Sequence, residues 1–62
     1  MEAPSTIVNR LLNARAFGDA TNEDLRAFLV SDGKDAATVD SAIAQLDAHA
    51  VTRLQFTTLF GY

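Results

Sequence analysis

Apolar positions recur along this chain at spacings of three and four, in blocks separated by short polar or glycine-containing stretches. That is the periodicity of helices with one inward face. The first block carries Ile7, Val8, Leu11 and Leu12, with Asn9, Arg10 and Asn13 on the other side. With Ser5 or Thr6 as cap after Pro4 and Gly18 as a stop, it predicts a helix over about 5–17. A second helix, over 22–31, follows from Thr21 as cap, Asp24 as the acid of a capping box, and the stripe Leu25, Phe28 and Leu29. Ser31-Asp32-Gly33 ends it, since Gly33 adopts the left-handed conformation at little cost. Asp35 caps a third helix over 36–49, which carries Val39, Ala42, Ile43 and Leu46 inward. Its alanine content predicts that it is the longest and most stable of the set.

The last block contains two competing signals. Thr52 and Gln55 have capping-box spacing, and Val51 and Phe56 flank them at hydrophobic-staple positions. Val51, Thr52, Thr57, Thr58 and the aromatics favour a strand, and Leu54 and Phe56 alternate with Arg53 and Gln55 as a strand does. Helix over 53–60 is preferred because box and staple coincide and no second strand is available for pairing. The reading is therefore an all-α bundle of four short helices, with a strand as the alternative for the last segment. Connections of two to five residues make neighbouring helices crossed or roughly antiparallel.

Sixty-two residues read as one domain over 1–62 with no linker, repeat or low-complexity segment. A chain this short buries only about 60% of the surface its unfolded form exposes. It has no cysteine and one histidine, His49, so neither a disulfide nor a zinc site supplements the core. Oligomerisation or docking onto a partner is the remaining source of stability. The start, Met1-Glu2-Ala3-Pro4, lacks the positive and apolar regions of a signal peptide, and no apolar run approaches eighteen residues. The expectation is a soluble chain, cytoplasmic or within a macromolecular assembly, with no membrane partner.

Eight acidic and five basic side chains give a formal charge of -3, which opposes nonspecific nucleic-acid binding, because that requires clustered Lys and Arg. Lys34 is the one lysine, and Arg10, Arg15, Arg26 and Arg53 are scattered. The acids sit mainly near turns and helix starts, where capping accounts for them.

No residue pattern calls for catalysis. His49 and Asp47 are two apart, so they do not face each other on a helix, and a histidine at a helix C-terminus serves as a cation or donor to free carbonyls. Ser5 and Ser31 lie at helix ends, and Ser41 has no His or Lys at usable spacing. Asp32-Gly33-Lys34-Asp35 resembles a fragment of a calcium loop but lacks the further oxygen ligands and the terminal Glu. Gly18 and Gly33 are too far apart to cradle a phosphate. Asp24, Asp35 and Asp40 read as caps and surface acids. The chain is expected to have no catalytic residue, metal, cofactor or small-molecule substrate, and not to be an enzyme.

Thr21 to Leu29, then a turn and Thr38 to Arg53, resembles the second and third helices and first wing strand of winged helix-turn-helix domains. The same helix pair is similar to the three-helix units of RecX-type regulators and ubiquitin-associated domains. The winged-helix resemblance implies a third helix that enters the DNA major groove and a strand leading into a wing. This chain departs from that pattern. The outward face of the third helix offers Asp40, Ser41, Gln45 and Asp47 with no Arg or Lys, and Ala50 replaces the usual Gly before the strand.

The function expected is a small non-enzymatic interaction or structural accessory subunit, of the kind found in phage and bacteria, that docks onto a larger assembly or self-associates. From Leu54 to Tyr62 no side chain is charged, and Phe56, Leu59, Phe60 and Tyr62 are the candidate partner-binding residues. Phe56, Leu59 and Phe60 would equally complete a monomer core, whereas Tyr62, beyond Gly61, is the better interface candidate. The alternative is a helix-turn-helix-like DNA-binding or regulatory module using Arg10, Arg15, Arg26, Lys34 and Arg53.

Overall fold

Pro4 opens the first helix. In the computed structural model, which describes residues 1–62, the chain forms α1 (Pro4–Ala16), α2 (Asn22–Ser31), α3 (Ala36–Asp47) and α4 (Arg53–Leu59), with no strand. Neither Ser5 nor Thr6 caps α1. Ala3 holds that position in an extended conformation with no side-chain cap, and Pro4 follows inside the helix. Proline suits this place because its fixed φ is already helical and its missing N–H is one the first turn leaves unpaired. The start is therefore earlier than the Ser and Thr signal implies, and α1, at 13 residues, is longer by one than the alanine-rich α3.

The other three starts use the side chains their sequences offer. Thr21 Oγ1 accepts from the Asp24 amide, and Asp24 Oδ2 accepts from the Thr21 amide at 2.9 Å. Asp35 Oδ2 accepts from the Thr38 amide at 3.0 Å, which holds the Asp35 carboxyl below its ordinary range. At α4 the Gln55 amide donates to Thr52 Oγ1 at 3.1 Å, and the Thr52 amide donates to Gln55 Oε1 at 2.8 Å. This reciprocal pair satisfies two donors that a helix start otherwise leaves free. The segment is a helix, and the strand alternative, together with the wing strand implied by the winged-helix resemblance, is not what the chain forms.

All four helices end in the same way. The residue two past the last helical one takes a positive φ: Gly18 (80°), Gly33 (89°), His49 (57°) and Gly61 (81°). The next amide then reaches back five residues: Asp19 to Ala14, Lys34 to Leu29, Ala50 to Gln45 and Tyr62 to Thr57, at 2.8 to 3.0 Å. These are Schellman turns, which satisfy carbonyls that the helix end exposes. His49 thus lies beyond α3 and not inside its last turn, and the backbone of His49 does the capping that its side chain was expected to do.

Val8, Leu12, Leu25, Leu29, Val39, Ala42, Ile43, Phe56 and Phe60 make one core drawn from all four helices. Leu11, Phe28, Leu46, Val51 and Tyr62 pack at its edge. The Cα radius of gyration is 10.6 Å, the value of about 10.6 Å that a compact chain of this length has.

Candidate interaction surface

Helix α4 turns Phe56, Thr57 and Phe60 inward. Phe56 is fully buried and Phe60 is 8% exposed. Their rings meet edge to face, with centroids 5.3 Å apart, the arrangement favoured by the aromatic quadrupole. Thr57 tolerates burial because its hydroxyl donates to the Leu54 carbonyl at 3.1 Å. Leu59 does not join this stripe. The inward face lies on the Thr57 side of the phenylalanines, so Leu59 rotates outward and is 61% exposed. With Leu54, 74% exposed, and with Gln55 and Thr58, it forms an outward face that carries no charge.

Tyr62 folds back on its own chain. It is half-buried, its hydroxyl donates to Asp32 Oδ2 at 2.5 Å, and the Lys34 ammonium lies 4.9 Å from its ring centroid. Burial, then the hydrogen bond and charge of Asp32, push the phenol up to about 12. The contact fastens the end of α4 to the turn between α2 and α3. Of the four candidate contact residues, Phe56 and Phe60 therefore lie in the core, Tyr62 is held by a polar contact within the chain, and Leu59 is open.

The start of α4 is fastened too. Arg53 donates to Asn13 Oδ1 at 2.5 Å and to the carbonyl and Oδ1 of Asn9, both at 2.9 Å. A third polar junction joins the remaining helices: Arg15 pairs with Asp47 and donates to Asn22 Oδ1, while Asn22 Nδ2 donates to Asp47 at 2.7 Å. Arg26 pairs with Asp40 at 2.6 Å between α2 and α3. On α1, Arg10 pairs with Glu2 and so holds its carboxyl below the usual range. The five cations proposed for phosphate contact are thus all engaged within the chain. Asp40 and Asp47, the acids on the outward face of the third helix, are matched by Arg26 and Arg15.

Sequence reasoning missed these junctions because their members lie 7 to 44 residues apart, beyond the three- and four-residue spacing within one helix. It also missed Phe17. That ring, 83% exposed at the C-terminus of α1, continues the row Asn9, Asn13 at four-residue intervals. No cavity indents the surface, and no three His, Cys, Asp or Glu side chains lie close enough to share a metal ion. No helix is long and apolar enough to cross a membrane. Comparison of the chain with protein-family models, with curated proteins and with solved structures returned no match.

Proposed function

We propose that this chain is a small non-enzymatic interaction subunit, structural or accessory, of a phage or bacterial assembly, and that it docks through the outward face of α4. The observation that carries this reading is the contrast between α4 and the rest of the surface. Helices α1, α2 and α3 each carry paired charges at their surface among uncharged exposed positions, whereas α4 presents two exposed leucines, Leu54 and Leu59, around Gln55 and Thr58 with no charged side chain from 54 onward. Exposed leucines framed by neutral polar groups cost little to desolvate, which favours protein contact over contact with phosphate or solvent. Leu59 is retained from the sequence-based set. Leu54 replaces Phe56 and Phe60, which support the face from inside.

Leu54→Asp with Leu59→Asp tests this reading, because both side chains are exposed and their replacement leaves the core intact. Partners captured from the native host by the parent protein, purified and re-bound in isolation, are expected to lose at least tenfold in affinity for the double variant while its circular dichroism is unchanged. A partner bound equally by both proteins removes α4 as the docking face. The helix-turn-helix alternative gains no specific support, since DNA contact requires Arg15, Arg26 or Arg53 to leave existing partners. A mobility shift at low salt that weakens steeply as salt rises would revive it.

A further inference from the structure

The connection from α3 to α4 is built unlike the other two. Each of those contains a glycine at its left-handed residue, Gly18 or Gly33, whereas Ala48-His49-Ala50-Val51-Thr52 places His49 there at φ 57°. From Asp35 to Phe60 the chain contains neither glycine nor proline. Nothing covalent in that stretch forbids a continuous helix, and Ala48 and Ala50 favour one. The turn is closed by the strained His49, by the His49 and Ala50 amides donating to Leu46 and Gln45, and by the Thr52–Gln55 cap. Straightening it would relieve His49 and replace those bonds with ordinary helical ones.

We infer that α4 exchanges between two copies of this chain, producing a dimer in which α3 runs on through 48–52 into α4 and each copy's Phe56 and Phe60 fill the core of the other. The occupant of the site is fixed by the fold itself: it is the element that already fills it. The core surface that receives α4, on α1 and α3, is unchanged by exchange. The fastenings at its two ends, Arg53 to Asn9 and Asn13, and Tyr62 to Asp32 and Lys34, join α4 to the rest of the molecule and re-form across copies in the same geometry. Closed and exchanged forms therefore share their tertiary contacts and differ at the hinge, so concentration decides between them. The inference is independent of the docking reading, because Leu54 and Leu59 remain exposed in either form.

Three measurements on the full chain test it. Light scattering coupled to size exclusion, from micromolar to millimolar protein, is expected to show a slowly exchanging dimer at the upper end. His49→Gly, which removes the strain of the closed turn and weakens the continuous helix in both copies, should raise the dimer dissociation constant by at least about thirtyfold, and His49→Ala should lower it. The protein has no cysteine, so an Asn13→Cys, Arg53→Cys variant treated with a short bismaleimide reports which chain supplies α4. Cross-links between chains in the dimer fraction are the expected result. Cross-links confined to one chain within a dimer overturn the inference, as does a dimer indifferent to both His49 variants. Absence of a dimer at millimolar concentration in both the parent and His49→Ala overturns it equally.

Discussion

At the scale of single residues, the four helix ends form an internal comparison. Three place glycine at the left-handed position and one places His49, although the backbone bonds around them are alike. A residue with a Cβ costs about 1–2 kcal/mol in that conformation, while glycine's extra unfolded-state freedom returns part of the difference. His49→Gly is accordingly expected to stabilise the monomer by about 0.5–1 kcal/mol, read as a higher urea midpoint at unchanged slope in dilute solution. Tyr62 has its own signature in pH. Its phenol is raised from 10.0 to about 12 in the folded chain, so the folded state binds that proton more tightly than the unfolded state does. The stability this provides is complete below pH 10 and is lost as pH rises towards 12. Tyr62→Phe, which has no proton to lose, should flatten the fall in stability between pH 10 and pH 12. Parallel slopes for parent and variant in that interval would show that the Asp32 contact is too loose to matter.

At the scale of elements, α4 is the informative case. Seven residues cannot hold a helix in isolation, so α4 exists because its ends are specified and its phenylalanines are buried. Thr52→Ala removes the acceptor for the Gln55 amide and should cost about 1 kcal/mol, with faster hydrogen exchange in α4 than in α1 to α3 if the loss is local. Uniform acceleration across all four helices would instead mean that α4 opens only with the whole molecule. The same helix shows what could be read from sequence and what could not. Thr52, Gln55 and Val51 announced its start because capping is set within four residues, and Gly18 and Gly33 marked the stops of α1 and α2 because only backbone conformation is involved. Whether Leu59 faces inward or outward was left open by the sequence because the inward face of a short helix depends on the angle at which it crosses α1 and α3, which no local pattern encodes. The start of α1 was misplaced because Pro4 makes a hydroxyl cap unnecessary. Arg15, Asn22 and Asp47 meet only when three helices assemble, so their union was invisible in a chain where each is an ordinary surface residue.

At the scale of the molecule, the chain exposes 3931 Å², against about 3,900 Å² for a folded monomer of its mass. The small core of the closed chain is therefore covered without a second subunit. This separates two roles that the C-terminal segment combines in sequence. A domain of this length has a total stability of about 3–9 kcal/mol, and truncating a fully buried phenylalanine costs about 3–5 kcal/mol. Phe56→Ala should thus consume most of the stability and leave a substantial unfolded fraction at 37 °C. Leu54→Ala and Leu59→Ala, at exposed positions, should each change stability by no more than about 0.5 kcal/mol. Urea titrations of the three variants followed by helical circular dichroism measure the contrast. If Leu59→Ala destabilises as Phe56→Ala does, the outward face of α4 belongs to the core and has no surface left to offer a partner. If the contrast holds, the inward residues of α4 maintain the fold and the outward leucines are free for recognition, since their exposure stabilises nothing within the monomer.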